Sequence, residues 1–142
     1  ANIIGISQLA FAYCEELVDT PTTTSCERDS NVTLARECMF DTFDTSNKFD
    51  DTAAVAFDAS GRAVVANALY DRMLGIPTTA MGAGLINAPT RTQITDELIN
   101  APAAGDYPGN LVDRLITAGS NTKDITKAMC TSVLGSAAML VQ

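Results

Sequence analysis

Between its prolines and glycines, this chain repeats apolar residues three and four positions apart. No stretch alternates apolar with polar residues as a half-buried strand would. In residues 5–18, Ile6, Leu9, Ala10, Tyr13, Cys14 and Leu17 form one such stripe, and Glu15 and Glu16 fall off it. Thr20-Pro21 ends it, because the residue before a proline is pushed out of the helical region. Ser30 or Asn31 is placed to cap a short second helix bearing Leu34, Ala35, Cys38 and Met39. A turn from Asp51 or Thr52 to Phe57 leads to a firmer helix, capped by Ser60 and running to Leu74, with Val64, Val65, Ala68, Leu69 and Met73 inward. Gly75 and Pro77 stop that helix. Thr90-Arg91-Thr92-Gln93 has the form of a capping box and precedes Ile94, Leu98 and Ile99. Asn110 opens another helix that Gly119 closes, and Asn121 or Thr122 starts a long one with Ile125, Met129, Val133 and Leu140 inward. Residues 78–88 and 102–109 read as irregular connections. The reading is all-α: a single helical domain over residues 1–142, a bundle of about five to seven helices.

The four cysteines are Cys14, Cys26, Cys38 and Cys130. None forms a Cys-x-x-Cys pair, which excludes a thioredoxin-like site, the usual zinc-ribbon spacing and haem attachment. An even count in a chain of exported character favours two disulfides, with three connectivities open. The preferred pairing joins Cys14 to Cys130 and Cys26 to Cys38. The first would staple the two terminal helices together; the second would tie the Thr-rich loop to the helix after it. The exported character rests on composition: only 18% charged residues, many threonines and three lysines. The chain opens Ala1-Asn2-Ile3 without an initiator methionine, as expected of a processed mature form or an excised domain. Its longest nearly uncharged apolar run, residues 128–141, is shorter than the roughly 20 residues needed to span a bilayer. The chain is therefore expected not to be membrane-spanning.

Composition also limits the chemistry. There is no histidine, so no Ser-His or Cys-His pair, no imidazole base and no Cys/His zinc site exists. A formal charge of -8 argues against nucleic acid, whose binding rests on neutralising phosphates. The acidic stretch of residues 41–51 reads as a solvated loop, and its Asp41, Asp44 and Asp50 are the candidate calcium ligands. It lacks the turn glycine and closing glutamate of an EF-hand loop. Carboxylates alone would have to carry any glycosidase activity, and with 17 acidic residues a close pair has no specificity. Asp71-Arg72 and Asp113-Arg114, a short internal echo, read as structural ion pairs. Asn31-Val32-Thr33 has the form of an N-glycosylation sequon. No catalytic residue and no cofactor are expected, and the chain reads as a non-enzyme.

Both chain ends are apolar: Ile3 and Ile4 at one, Met139, Leu140 and Val141 at the other. Free ends are usually polar, so these residues, with Gly135, are the candidate interface. The small residues Gly135 to Ala138 also suit close contact between the last helix and the first.

Three segments carry a resemblance: Gly5-Ile6-Ser7-Gln8-Leu9-Ala10 leading to Tyr13-Cys14, then Leu69-Tyr70-Asp71-Arg72-Met73-Leu74-Gly75, then Cys130-Thr131-Ser132-Val133-Leu134-Gly135-Ser136-Ala137-Ala138. Together they are similar to a helical region of exported bacterial LamG-domain-containing proteins. The resemblance implies an extracytoplasmic helical module at the cell surface, and it transfers no active-site residues. The expected function is a non-catalytic structural or interaction protein, a subunit or module of a cell-surface assembly or extracellular filament. Its partner would be another copy or another surface protein, outside the cytoplasm. The alternative is a small acidic carrier holding an apolar ligand among its methionines and phenylalanines.

Overall fold

The computed structural model describes residues 3–19, 36–40, 42–74, 89–100 and 109–140. Among them there is no strand; eight α-helices and one 3-10 turn make a single helical domain. In chain order these are α1 (Ile3–Asp19), α2 (Arg36–Phe40), α3 (Thr42–Thr45), the 3-10 turn Lys48–Asp50, α4 (Ala53–Ala56), α5 (Ala59–Met73), α6 (Arg91–Leu98), α7 (Leu111–Thr117) and α8 (Thr122–Leu140).

The helix starts follow side-chain capping. Thr90 accepts a hydrogen bond from the Gln93 amide while the Gln93 side chain accepts from the Thr90 amide, the expected capping box. Asn110 accepts from the Asp113 amide. Gly119, at φ 85°, supplies the left-handed turn between α7 and α8. The cap of α5 differs from expectation. Asp58, not Ser60, accepts from the Gly61 amide at 2.7 Å. A cap must lie outside the helix, and here the α4 turn ends at Phe57, two residues earlier than a Ser60 cap requires. The Ser30 or Asn31 cap lies outside the described residues.

The acidic stretch expected as a solvated loop over residues 41–51 is the largest departure. Over its described residues, 42–51, α3 and the 3-10 turn form, burying Phe43 and Phe49. Their rings meet edge to face with centroids 4.9 Å apart, and Phe40 and Phe57 lie on either side at 5.6 and 5.4 Å. Two aromatic rings bury far more apolar surface than three or four aspartates resist, since the carboxylates can point outward. Arg36 fixes the same corner. Its Nε donates to Asp44 Oδ1 at 2.8 Å, its Nη1 donates to the Val18 carbonyl at the end of α1, and its guanidinium lies 4.6 Å from the centre of the Phe49 ring.

Cys14 and Cys130 are bonded and fully buried, with their Cα atoms 5.8 Å apart. The chains run antiparallel there, because Lys127, three residues before Cys130, pairs with Asp19, five residues after Cys14. Cys38 is also disulfide-bonded; its expected partner, Cys26, lies outside the described residues. The buried face of α8 is Ile125, Thr126, Met129, Cys130 and Val133; Ile125, Met129 and Val133 lie inward as the spacing predicts, and the side chain of Leu140 lies outside the described residues. The buried face of α1 is Ala10, Cys14, Leu17 and Val18, which turns Leu9 and Tyr13 to solvent. The expectation that these two point inward is thus corrected. Val18 and Leu17 pack into the core beside the disulfide, and that rotation places Leu9 and Tyr13 about 100° or more from Cys14 around the helix.

The Cys14–Cys130 bridge spans 116 positions. Replacing both with alanine should lower the unfolding free energy by about 4–5 kcal/mol. Urea unfolding measures it, and a loss below about 1 kcal/mol would show that the helices hold unaided. Glycines give a paired test. A Cβ on Gly61 would sit 1.9 Å from the Ala56 carbonyl oxygen, a backbone atom that cannot swing away, whereas one on Gly135 meets nothing within 4 Å. Gly61→Ala should destabilise by about 1–3 kcal/mol, despite alanine's better helix propensity. Gly135→Ala should stabilise by up to about 1 kcal/mol.

Candidate interaction surface

The described residues hold no group of three or more Cys, Asp or Glu side chains disposed to bind a metal ion. Asp44 is occupied by Arg36, Asp50 is exposed, and Asp41 lies outside the described residues. No buried side-chain nitrogen or oxygen lacks a hydrogen-bond partner among them. A polar cleft of about 450 Å³ lies between the end of α1, the 3-10 turn and the start of α8. Asp19, Asp50, Asp51, Asp124 and Lys127 line it, and Lys127 donates to Asp19 at 2.8 Å across it.

The arginines are bound up in the scaffold. Arg62 donates to Asp113 Oδ1 at 2.6 Å and to the Phe57 carbonyl at 2.7 Å, tying α5 to α7. Arg91 donates to Asp71 and to Asn67, with its guanidinium over the Tyr70 ring, tying α6 to α5. Arg72 donates to the Cys38 carbonyl. The two Asp-Arg pairs of the sequence thus do serve ion pairs, but each aspartate takes an arginine from elsewhere in the chain.

Apolar side chains are exposed in two places. On α1, Leu9 is 73% exposed, Phe11 48% and Tyr13 38%; on α4, Val55 is 59% exposed. On α1 the exposed side chains divide about the buried stripe, Leu9 and Tyr13 on one side and Phe11 on the other, and among the described residues this helix packs chiefly on α8, with α2 as a further neighbour. Of the candidate interface residues, Ile3 and Ile4 form the first turn of α1, and Met139 and Leu140 end α8; their side chains and Val141 lie outside the described residues. Gly135 is half-buried, with open space where a side chain would be, so the close approach of α1 to α8 does not require it. The sequence reading missed Leu9, Phe11 and Tyr13 as surface residues. The signal was Val18: a stripe drawn through Ala10, Cys14, Leu17 and Val18 excludes them.

Two carboxylates are held below the usual aspartate range. The Gly61 amide, then Lys48, lowers Asp58; the Arg62 guanidinium, then the Asn110 side chain, lowers Asp113. No protein-family model matches the chain, and no curated protein or solved structure matches it. What the fold defines is its class: an all-α, disulfide-closed domain.

Because both pKa values are lower in the folded state, the two groups stabilise it above the ordinary aspartate value of about 3.9, and that contribution is lost as pH falls below it. Stability should therefore decline from pH 5 to pH 3. Asp113→Asn should lower it at pH 7 by on the order of 0.5 kcal/mol, since the pair is half-exposed, and should shrink the decline. Denaturant melts of both proteins across that range check the sign.

Proposed function

We propose that this chain is a non-catalytic structural or interaction domain, exported, and a subunit or module of a cell-surface assembly or extracellular filament. The exposed apolar side chains of α1 carry this reading: Leu9 and Tyr13 on one side of the helix and Phe11 on the other offer apolar contact to a partner. Disulfide bonding at Cys14, Cys130 and Cys38 supports an oxidising compartment, where such bonds persist. No helix among the described residues is long and apolar enough to cross a membrane, which fits a domain outside the bilayer. The resemblance to the helical region of exported LamG-domain proteins points the same way. A carrier would need an apolar cavity. The phenylalanines of the core instead pack on one another, and the cleft beside α8 is polar.

Protein isolated from its natural source under native conditions should sediment well above the 14.9 kDa of one chain, and negative-stain imaging should show defined particles or filaments. A clean monomer from that source, at high concentration, would overturn the reading.

A further inference from the structure

We infer that α1 is a cover over its own disulfide: thiol reductants reach the Cys14–Cys130 bridge only in an opened form in which α1 has swung off α8. Reduction begins when a thiolate attacks one sulfur of the bond and forms a mixed disulfide with it. A second thiolate resolves that intermediate. In all, two reductant thiols become one disulfide, and their two protons and two electrons restore the thiols of Cys14 and Cys130. In the folded chain the first attack has no path. Cys14 and Cys130 are both 0% exposed. Their neighbours one turn away on the same helices are buried too, Ala10, Leu17 and Val18 around Cys14 and Thr126 and Val133 around Cys130. A thiolate entering this contact would also have to shed its water. Neither cysteine lies in a terminal turn of α1 (Ile3–Asp19) or α8 (Thr122–Leu140), so fraying of a helix end leaves both covered.

The neighbours of each helix decide which one moves. Among the described residues α1 packs chiefly on α8, with α2 as a further neighbour, whereas α8 also packs on α4, α5, α7 and the 3-10 turn. Swinging α1 outward breaks one extensive contact; moving α8 would dismantle the domain. The ion pair between Lys127 and Asp19 joins the same two helices and parts with them. Because the bridge lies within the span of both helices, α1 can pivot about it with the bond intact, and the sulfurs then meet solvent. The resistance of the bridge to thiols is therefore set by the stability of α1 on α8, a lower barrier than unfolding of the whole chain.

The oxidised full chain is incubated with dithiothreitol and quenched with iodoacetamide at intervals. Peptide mass spectrometry then reads alkylation at Cys14 and Cys130 separately from Cys38. In native buffer Cys14 and Cys130 should react at least about 100-fold more slowly than in urea concentrated enough to unfold the chain, since the opened form is a minor population. The logarithm of the rate should rise with urea, but more gently than the global unfolding equilibrium, because opening exposes only the facing sides of α1 and α8. Val18→Ala, which removes fully buried contacts of α1, should speed reduction about fivefold or more. Leu98→Ala, buried on α6 away from α1, should lower global stability yet leave the reduction rate in native buffer within about twofold. Three results overturn the inference: a native rate closer than that to the rate in the unfolded chain, a urea dependence that is absent or equal to that of global unfolding, or an acceleration by Leu98→Ala as large as that by Val18→Ala.

Discussion

Cys14 and Cys130 are bonded at the centre of the antiparallel contact between α1 and α8, and the path from the N-terminal helix to the rest of the domain runs mainly through that contact. Lys127 of α8 also reaches Asp19 at the end of α1, and from α2 the Arg36 guanidinium reaches the Val18 carbonyl. The bridge acts on the unfolded chain as much as on the folded one. It closes a loop across most of the sequence and so removes much of the entropy that would otherwise favour a detached first helix. Around it Leu17, Val18, Ile125, Met129 and Val133 bury their side chains, so the covalent link lies within an apolar contact formed in any case by side-chain spacing.

Four phenylalanines organise the short elements. α2, α3, the 3-10 turn and α4 are each too brief to persist alone, since a helix needs about 12–15 residues to be even marginally stable in water. Phe40, Phe43 and Phe49 come from the first three and Phe57 directly follows α4, and their mutual packing holds four short pieces in a common cluster. Arg36 closes that cluster against α1 through an ion pair with Asp44, in which both side chains are largely withdrawn from solvent. Arginines then lash the longer helices together. Arg62 joins α5 to α7, Arg91 joins α6 to α5, and Arg72 joins α5 to α2.

This arrangement bears on function through what it leaves over. Among the described residues the arginines are engaged within the scaffold, and four phenylalanine rings of the core pack on one another. Among the described residues, the exposed apolar side chains without such an account are Val55 on α4 and, on α1, Leu9, Phe11 and Tyr13, beside the exposed Glu15 and Glu16. A domain held so firmly at one end of that helix, by a disulfide and an arginine cap, presents its other side as a rigid element. A preformed helix face needs no folding on association and loses little conformational entropy there.

Much of the fold was legible in the chain itself. Capping residues such as Thr90 and Asn110, the stop at Gly119 and the buried stripe of α8 follow from local geometry, because capping and 3.6-residue periodicity involve neighbours in sequence; the bond between Cys14 and Cys130, 116 positions apart, was the preferred one among open connectivities. Three features were not legible, and all depend on groups distant in sequence. The acidic stretch is helical because Phe43 and Phe49 find Phe40 and Phe57; Asp58 caps α5 because α4 ends at Phe57; and α1 is rotated because Leu17 and Val18 meet the core. The last decided the candidate surface. An apolar stripe wider than the space available can be buried along either of its edges, and only packing against α8 determined that Ala10 and Cys14 turn inward while Leu9 and Tyr13 face solvent.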